Sequence, residues 1–108
     1  MAMSHANSGE VIDIRPLGSA LAQARTTTLV KTKTLEIIRL VIPSGKDIPG
    51  HQAHGEITVQ CLEGRVAFNI GNTRRELEAG QFLYLSSEEP HSLHGIEDAS
   101  VLLTILLR

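Results

Sequence analysis

The stretch Gly80-Gln-Phe-Leu-Tyr-Leu-Ser-Ser-Glu-Glu-Pro-His91 decides the fold. A glycine opens it. Phe82–Leu85 is a run of large side chains suited to a pleated surface, and the cluster from Ser86 to Pro90 stops that run with turn-forming residues. The chain then enters a second short run, His91–His94. Strand, tight stop and strand again is the punctuation of an all-β domain.

Reading outward, the same spacing recurs. Downstream lies Val101–Leu107; upstream lie Thr27–Thr32, Leu35–Ile42, Ile57–Leu62, Val66–Ile70 and Thr73–Leu77. Pro43-Ser44-Gly45, Glu63-Gly64, Gly71-Asn72 and Ala79-Gly80 punctuate them. Many short strands with little helix predict a sandwich or barrel. The one helical pattern is short, Pro16–Ala24, with Leu17, Ala20, Leu21 and Ala24 on one face. Residues 1–10 read as a flexible tail and 11–108 as the domain. Val101–Leu107 is too apolar for an exposed edge and predicts cover on both faces, by the core and by a second subunit in a homodimer.

Composition narrows the function classes. The chain has 108 residues, 42% hydrophobic and 20% charged, with a formal net charge of −2. That length predicts one domain with one core. The charge balance argues against nucleic-acid or anionic-membrane partners, and no apolar run is long enough to span a bilayer. A single cysteine, Cys61, forms no internal disulfide, which fits a reducing, cytoplasmic compartment. With only Phe68, Phe82 and Tyr84 as aromatics, a stacking platform for sugars or bases is not expected.

The quoted stretch and a second one together resemble the two motifs of the cupin superfamily, the RmlC-like jelly rolls. Gly80, the strand after it, the turn and Pro90-His91 stand in the register of the second motif, with Ser86, Glu88 and Gly95 where the family usually has proline, glycine and asparagine. Gly45, five residues and His51 begin the first motif, and Leu62-Glu63-Gly64 ends it. The resemblance implies a jelly-roll β-barrel, or double-stranded β-helix, of the small single-domain cupin type. It also places the family's second histidine at Ala53 and its glutamate at Ile57, neither of which binds a metal.

His51 and His91 come from separate segments, and the resemblance brings them together in the barrel mouth. Neutral imidazoles bind borderline divalent ions, so iron, manganese, nickel or zinc is the expected cofactor. His54 is the choice for a third ligand, with Glu56 and Gln60 as alternatives. Strand alternation puts Ile57, Val59 and Cys61 inward and Glu56 and Gln60 outward. His51 and His54, three apart, share a face only if a bulge or turn intervenes. His94, three beyond His91, is expected to face solvent. Ile37, Val59, Cys61 and Leu93 are the expected pocket wall. Three readings follow: a metal-dependent cupin that oxygenates or isomerises a small organic molecule, a non-catalytic small-molecule binding or sensing module with a degraded metal site, or a purely structural dimer, for which the apolar C-terminal strand is the only support.

Overall fold

The structure, a computed structural model, describes residues 5–51, 55–86 and 89–107, with Gly50 and His51 described by backbone alone. A 3-10 helix, Gly18–Gln23, precedes nine strands: β1 (Thr27–Lys31), β2 (Leu35–Ile42), β3 (Asp47–His51), β4 (Ile57–Glu63), β5 (Arg65–Ile70), β6 (Thr73–Glu78), β7 (Phe82–Leu85), β8 (His91–Gly95) and β9 (Ala99–Leu106). They form two antiparallel sheets, in the orders β1-β2-β9-β4-β7 and β3-β8-β5-β6. This is the expected jelly roll.

Two elements differ from the sequence reading. The helix is of the tighter 3-10 kind and starts at Gly18, because the segment is too short to sustain regular α-helical turns. β3 was not among the expected strands, which resumed only at Ile57 after the break at Pro43-Ser44-Gly45. Its place explains the proline: β3 is an edge strand, where a missing N–H costs no ladder bond on the open side.

Alternation fills the space between the sheets. Val59, Cys61, Val66, Phe68, Val101 and Ile42 are fully buried, each on the inward row of its strand. β9 lies in the middle of its sheet, between β2 and β4, and supplies Val101 and Leu103 to the core. Its outward row includes Leu106, 40% exposed. Phe82 and Tyr84 on the edge strand β7 are exposed as well.

The outer face of β2 is held by the segment before the 3-10 helix. The Arg39 guanidinium donates to the backbone carbonyls of Asp13 and Arg15, at 3.2 and 3.3 Å. Further along, the Glu63 carboxylate accepts from the N–H groups of Leu17 (2.9 Å) and Gly18 (3.1 Å) and from the hydroxyl of buried Ser100 (2.6 Å). Ala6, nearer the N-terminus, donates to the carbonyl of Leu29 on β1. Burial alone would raise the Glu63 carboxyl. The bonds from Leu17, Ser100 and Gly18, with the charge of Arg39, outweigh burial and hold it below its ordinary value.

A group whose folded pKa is depressed stabilises the fold above its unfolded pKa, and that stabilisation is lost as pH falls through the folded value. Glu63→Gln is therefore expected to cost about 1.5–3 kcal/mol at neutral pH, the range for hydrogen bonds to a charged group. The gap between wild type and variant should close in acid. Urea unfolding of both proteins across pH 3 to 7 measures this; a gap independent of pH would contradict the clasp.

Candidate functional site

Between the two sheets, at one end of the barrel, lies a cavity of about 220 Å³. Ile38 and Leu40 of β2 and Leu103 and Ile105 of β9 line it from one sheet; Ile48 and Pro49 of β3, Phe68 of β5 and Leu93 of β8 line it from the other. Among the described residues, the polar ones on the wall are Glu36, His91 and Ser92. Apolar walls with few polar groups are the usual composition of a small-molecule pocket.

His91 is the first residue of β8 and half-buried. Its ring stacks on Phe68 with centroids 5.3 Å apart and planes inclined by 14°. Phe68 is fully buried, so the imidazole rests on a fixed surface. Nδ1 lies 3.1 Å from the carbonyl oxygen of Glu89. A carbonyl only accepts, so Nδ1 carries the proton, and in the neutral ring the lone pair then belongs to Nε2. A backbone carbonyl fixing one ring nitrogen so that the other can ligate is the common arrangement for metal-binding histidines.

The backbone of β3 brings a second histidine position into line. Ile48 pairs with Leu93 and His51 pairs with His91: three steps along β3 against two along β8. The extra residue is a β-bulge. It puts position 51 in register with the inward row of β8, where an uninterrupted ladder would have put Gly50. The side chain of His51 lies outside the described residues, as does the whole of His54.

The other expected site residues are distributed over the fold. Leu93 lines the cavity. Val59 and Cys61 face inward as alternation requires, but they are packed wholly within the core and do not line the cavity. The Cys61 thiol is pushed up by burial, and its sulfur lies 3.5 Å from the carbonyl oxygens of Glu63 and Gly64. Ile37 sits on the outward row of β2; Ile38 and Leu40 take the wall position instead. Glu56 accepts a hydrogen bond from the hydroxyl of Tyr84, whose pKa is raised by that bond. Gln60 is exposed on the outer sheet face, opposite Phe82 and Leu102. His94 faces away from the cavity and pairs with Asp47, Nδ1 to Oδ1 at 2.6 Å.

Among the described residues, no three histidine, cysteine, aspartate or glutamate side chains form a group that could hold a metal ion. What they do contain fits a nitrogen-preferring ion in part: one imidazole, at the cavity, with its tautomer fixed. The sequence reading missed two contributors. Glu36 could have been found by counting back in twos from buried Ile42; the stacking of Phe68 on His91 had no local signal.

Two antiparallel sheets packed as a jelly roll, with an apolar pocket between them and a histidine on its wall, define a small β-barrel domain. Residues 38–106 match the cupin domain, and the chain belongs to that family. A cupin superfamily protein from Desulfitobacterium hafniense superposes with a TM-score of 0.79 at 17% identity, covering 95% of this chain and 100% of that one. A conserved protein of unknown function from Streptococcus pyogenes gives 0.76 at 24% identity, covering 100% and 98%. The DMSP lyase DddQ from Ruegeria pomeroyi gives 0.67 at 20% identity, covering 88% of this chain and 52% of the lyase. At these identities the likeness is one of fold. Among curated proteins none matches the chain. No helix among the described residues is long and apolar enough to cross a membrane.

Proposed function

We propose that this cupin holds a divalent transition-metal ion at the barrel mouth through His51 and His91, and that it acts on a small organic molecule seated in the cavity. The pairing of positions 51 and 91 across the β3 bulge carries the reading. Directly paired positions in an antiparallel ladder lie on one face of the sheet, with Cβ atoms about 4.5–5.5 Å apart, close enough for two imidazoles to share an ion. His54, in the segment just after β3, is the proposed third ligand. The related fold of a DMSP lyase supports an enzymatic role without defining the reaction.

Bound iron, manganese, nickel or zinc would supply Lewis acidity, and iron could also activate dioxygen for an oxygenation. The chain's own residues do the rest. Phe68 and the Glu89 carbonyl hold the His91 ring in one plane and one tautomer. Ile38, Leu40, Leu103 and Ile105 exclude water from the substrate's apolar body.

Elemental analysis of the purified protein tests this, repeated after incubation with iron, manganese, nickel and zinc. One equivalent of bound metal is expected, falling to background in His91→Ala with the fold retained. Unchanged metal in the variant would contradict the proposal. Absence of metal from wild type under every loading condition, with an organic ligand still bound in the cavity, would support a non-catalytic binding module instead.

A further inference from the structure

Glu36 is a charged residue on an otherwise apolar inward row. Counting along β2, Glu36, Ile38, Leu40 and Ile42 share one face. Ile42 is fully buried, Ile38 and Leu40 line the cavity, and Glu36 lines it too, at the end of the row away from Ile42. It belongs to the five-stranded sheet, whereas His91 belongs to the four-stranded one, so among the described residues the two ionisable groups on the wall approach the cavity from opposite sheets. Glu36 is paired in the ladder with Lys31, whose Nζ is 3.4 Å from Oε1. The Lys31 side chain is 45% exposed, and an ion pair of that kind contributes little. An incoming cation can take its place at small cost.

We infer that Glu36 is the acceptor that orients the cavity's ligand, and that this ligand is a compact, mainly apolar molecule bearing a protonated amine. The inference rests on the reading of this cavity as the ligand site. An ionised carboxylate accepts hydrogen bonds and donates none, so it selects a donor and favours a positive one. A ligand with its own carboxylate would meet like charge at Glu36. Size follows from volume: a cavity of about 150 Å³ holds benzene, so the volume here takes a six-membered ring with one small head group. A metal ion on His91 would repel an ammonium group and reinforce its placement at Glu36.

Three probes of one skeleton separate the possibilities: cyclohexylamine, cyclohexanol and cyclohexanecarboxylate. Each is titrated at neutral pH into the purified protein and followed by methyl NMR shifts of Ile38, Leu103 and Ile105. Metal content is measured on the same samples. The amine is expected to bind about tenfold or more tighter than the carboxylate, as a charge-assisted hydrogen bond allows, with the alcohol between them. In Glu36→Gln that preference should shrink to about twofold, with an otherwise wild-type methyl spectrum showing that the fold is retained. An unchanged ranking in Glu36→Gln overturns the assignment, and so does equal binding of amine and carboxylate by wild type. If none of the probes moves the cavity methyls while metal binds fully, this inference fails and the metal reading stands. If the amine preference holds without metal, the converse applies.

Discussion

Phe68→Ala is expected to lower stability by about 3–5 kcal/mol, the usual cost of truncating a buried phenylalanine to alanine. Phe68 has no exposed surface and packs between the sheets, touching both the core and the cavity wall. Domains of this size are stable by only about 5–15 kcal/mol, so the variant sits close to the unfolding threshold. Truncation also removes the surface on which the His91 ring lies. Phe68→Leu keeps most of the volume and should recover stability without restoring the stack. Chemical denaturation of the three proteins, with metal affinity measured on each, separates the two roles. Tight metal binding in a folded Phe68→Leu protein would show that the stack does not position His91.

Gly64→Ala is expected to be comparably damaging for a different reason. Gly64 has φ of +76°, and a Cβ built there would stand 2.1 Å from the carbonyl oxygen of Asp98. Backbone strain of this kind costs about 1–3 kcal/mol, and relieving the clash requires β4 or the start of β9 to shift. Glu63, the residue before it, would then lose register with Ser100. Gly71→Ala is the control. Its φ of +57° is also positive, but nothing lies within 4 Å of the added carbon. It should cost about 1–2 kcal/mol. Equal melting temperatures for the two variants would contradict the close approach at Gly64.

The strands were legible because their alternation is clean wherever one row is polar. Ile57, Val59 and Cys61 are inward as alternation required, and Gln60 and Glu56 are not. β2 was ambiguous because Leu35–Ile42 carries one charge on each row. Arg39 marks the outward row, where the segment before the 3-10 helix covers it, and Glu36 occupies the inward one. β3 carries Pro49 and Gly50, which disfavour a strand except at a sheet edge or a bulge, and it has both. Glu63 gave no signal of its clasp, since its partners Leu17 and Gly18 lie more than forty residues away in sequence. The proposed site rests in the sequence on residue types, two histidines in two motifs, and not on geometry. The bulge that sets His51 against His91 arises from the pairing of β3 with β8, which no local pattern encodes.

The direct test is a crystal structure of the manganese- or zinc-loaded protein with an anomalous difference map. The expected result is one strong peak at the barrel mouth, about 2.0–2.3 Å from Nε2 of His91, with His51 a second ligand. A peak bound through neither ring, or no peak from crystals grown with excess metal, would contradict the proposed centre.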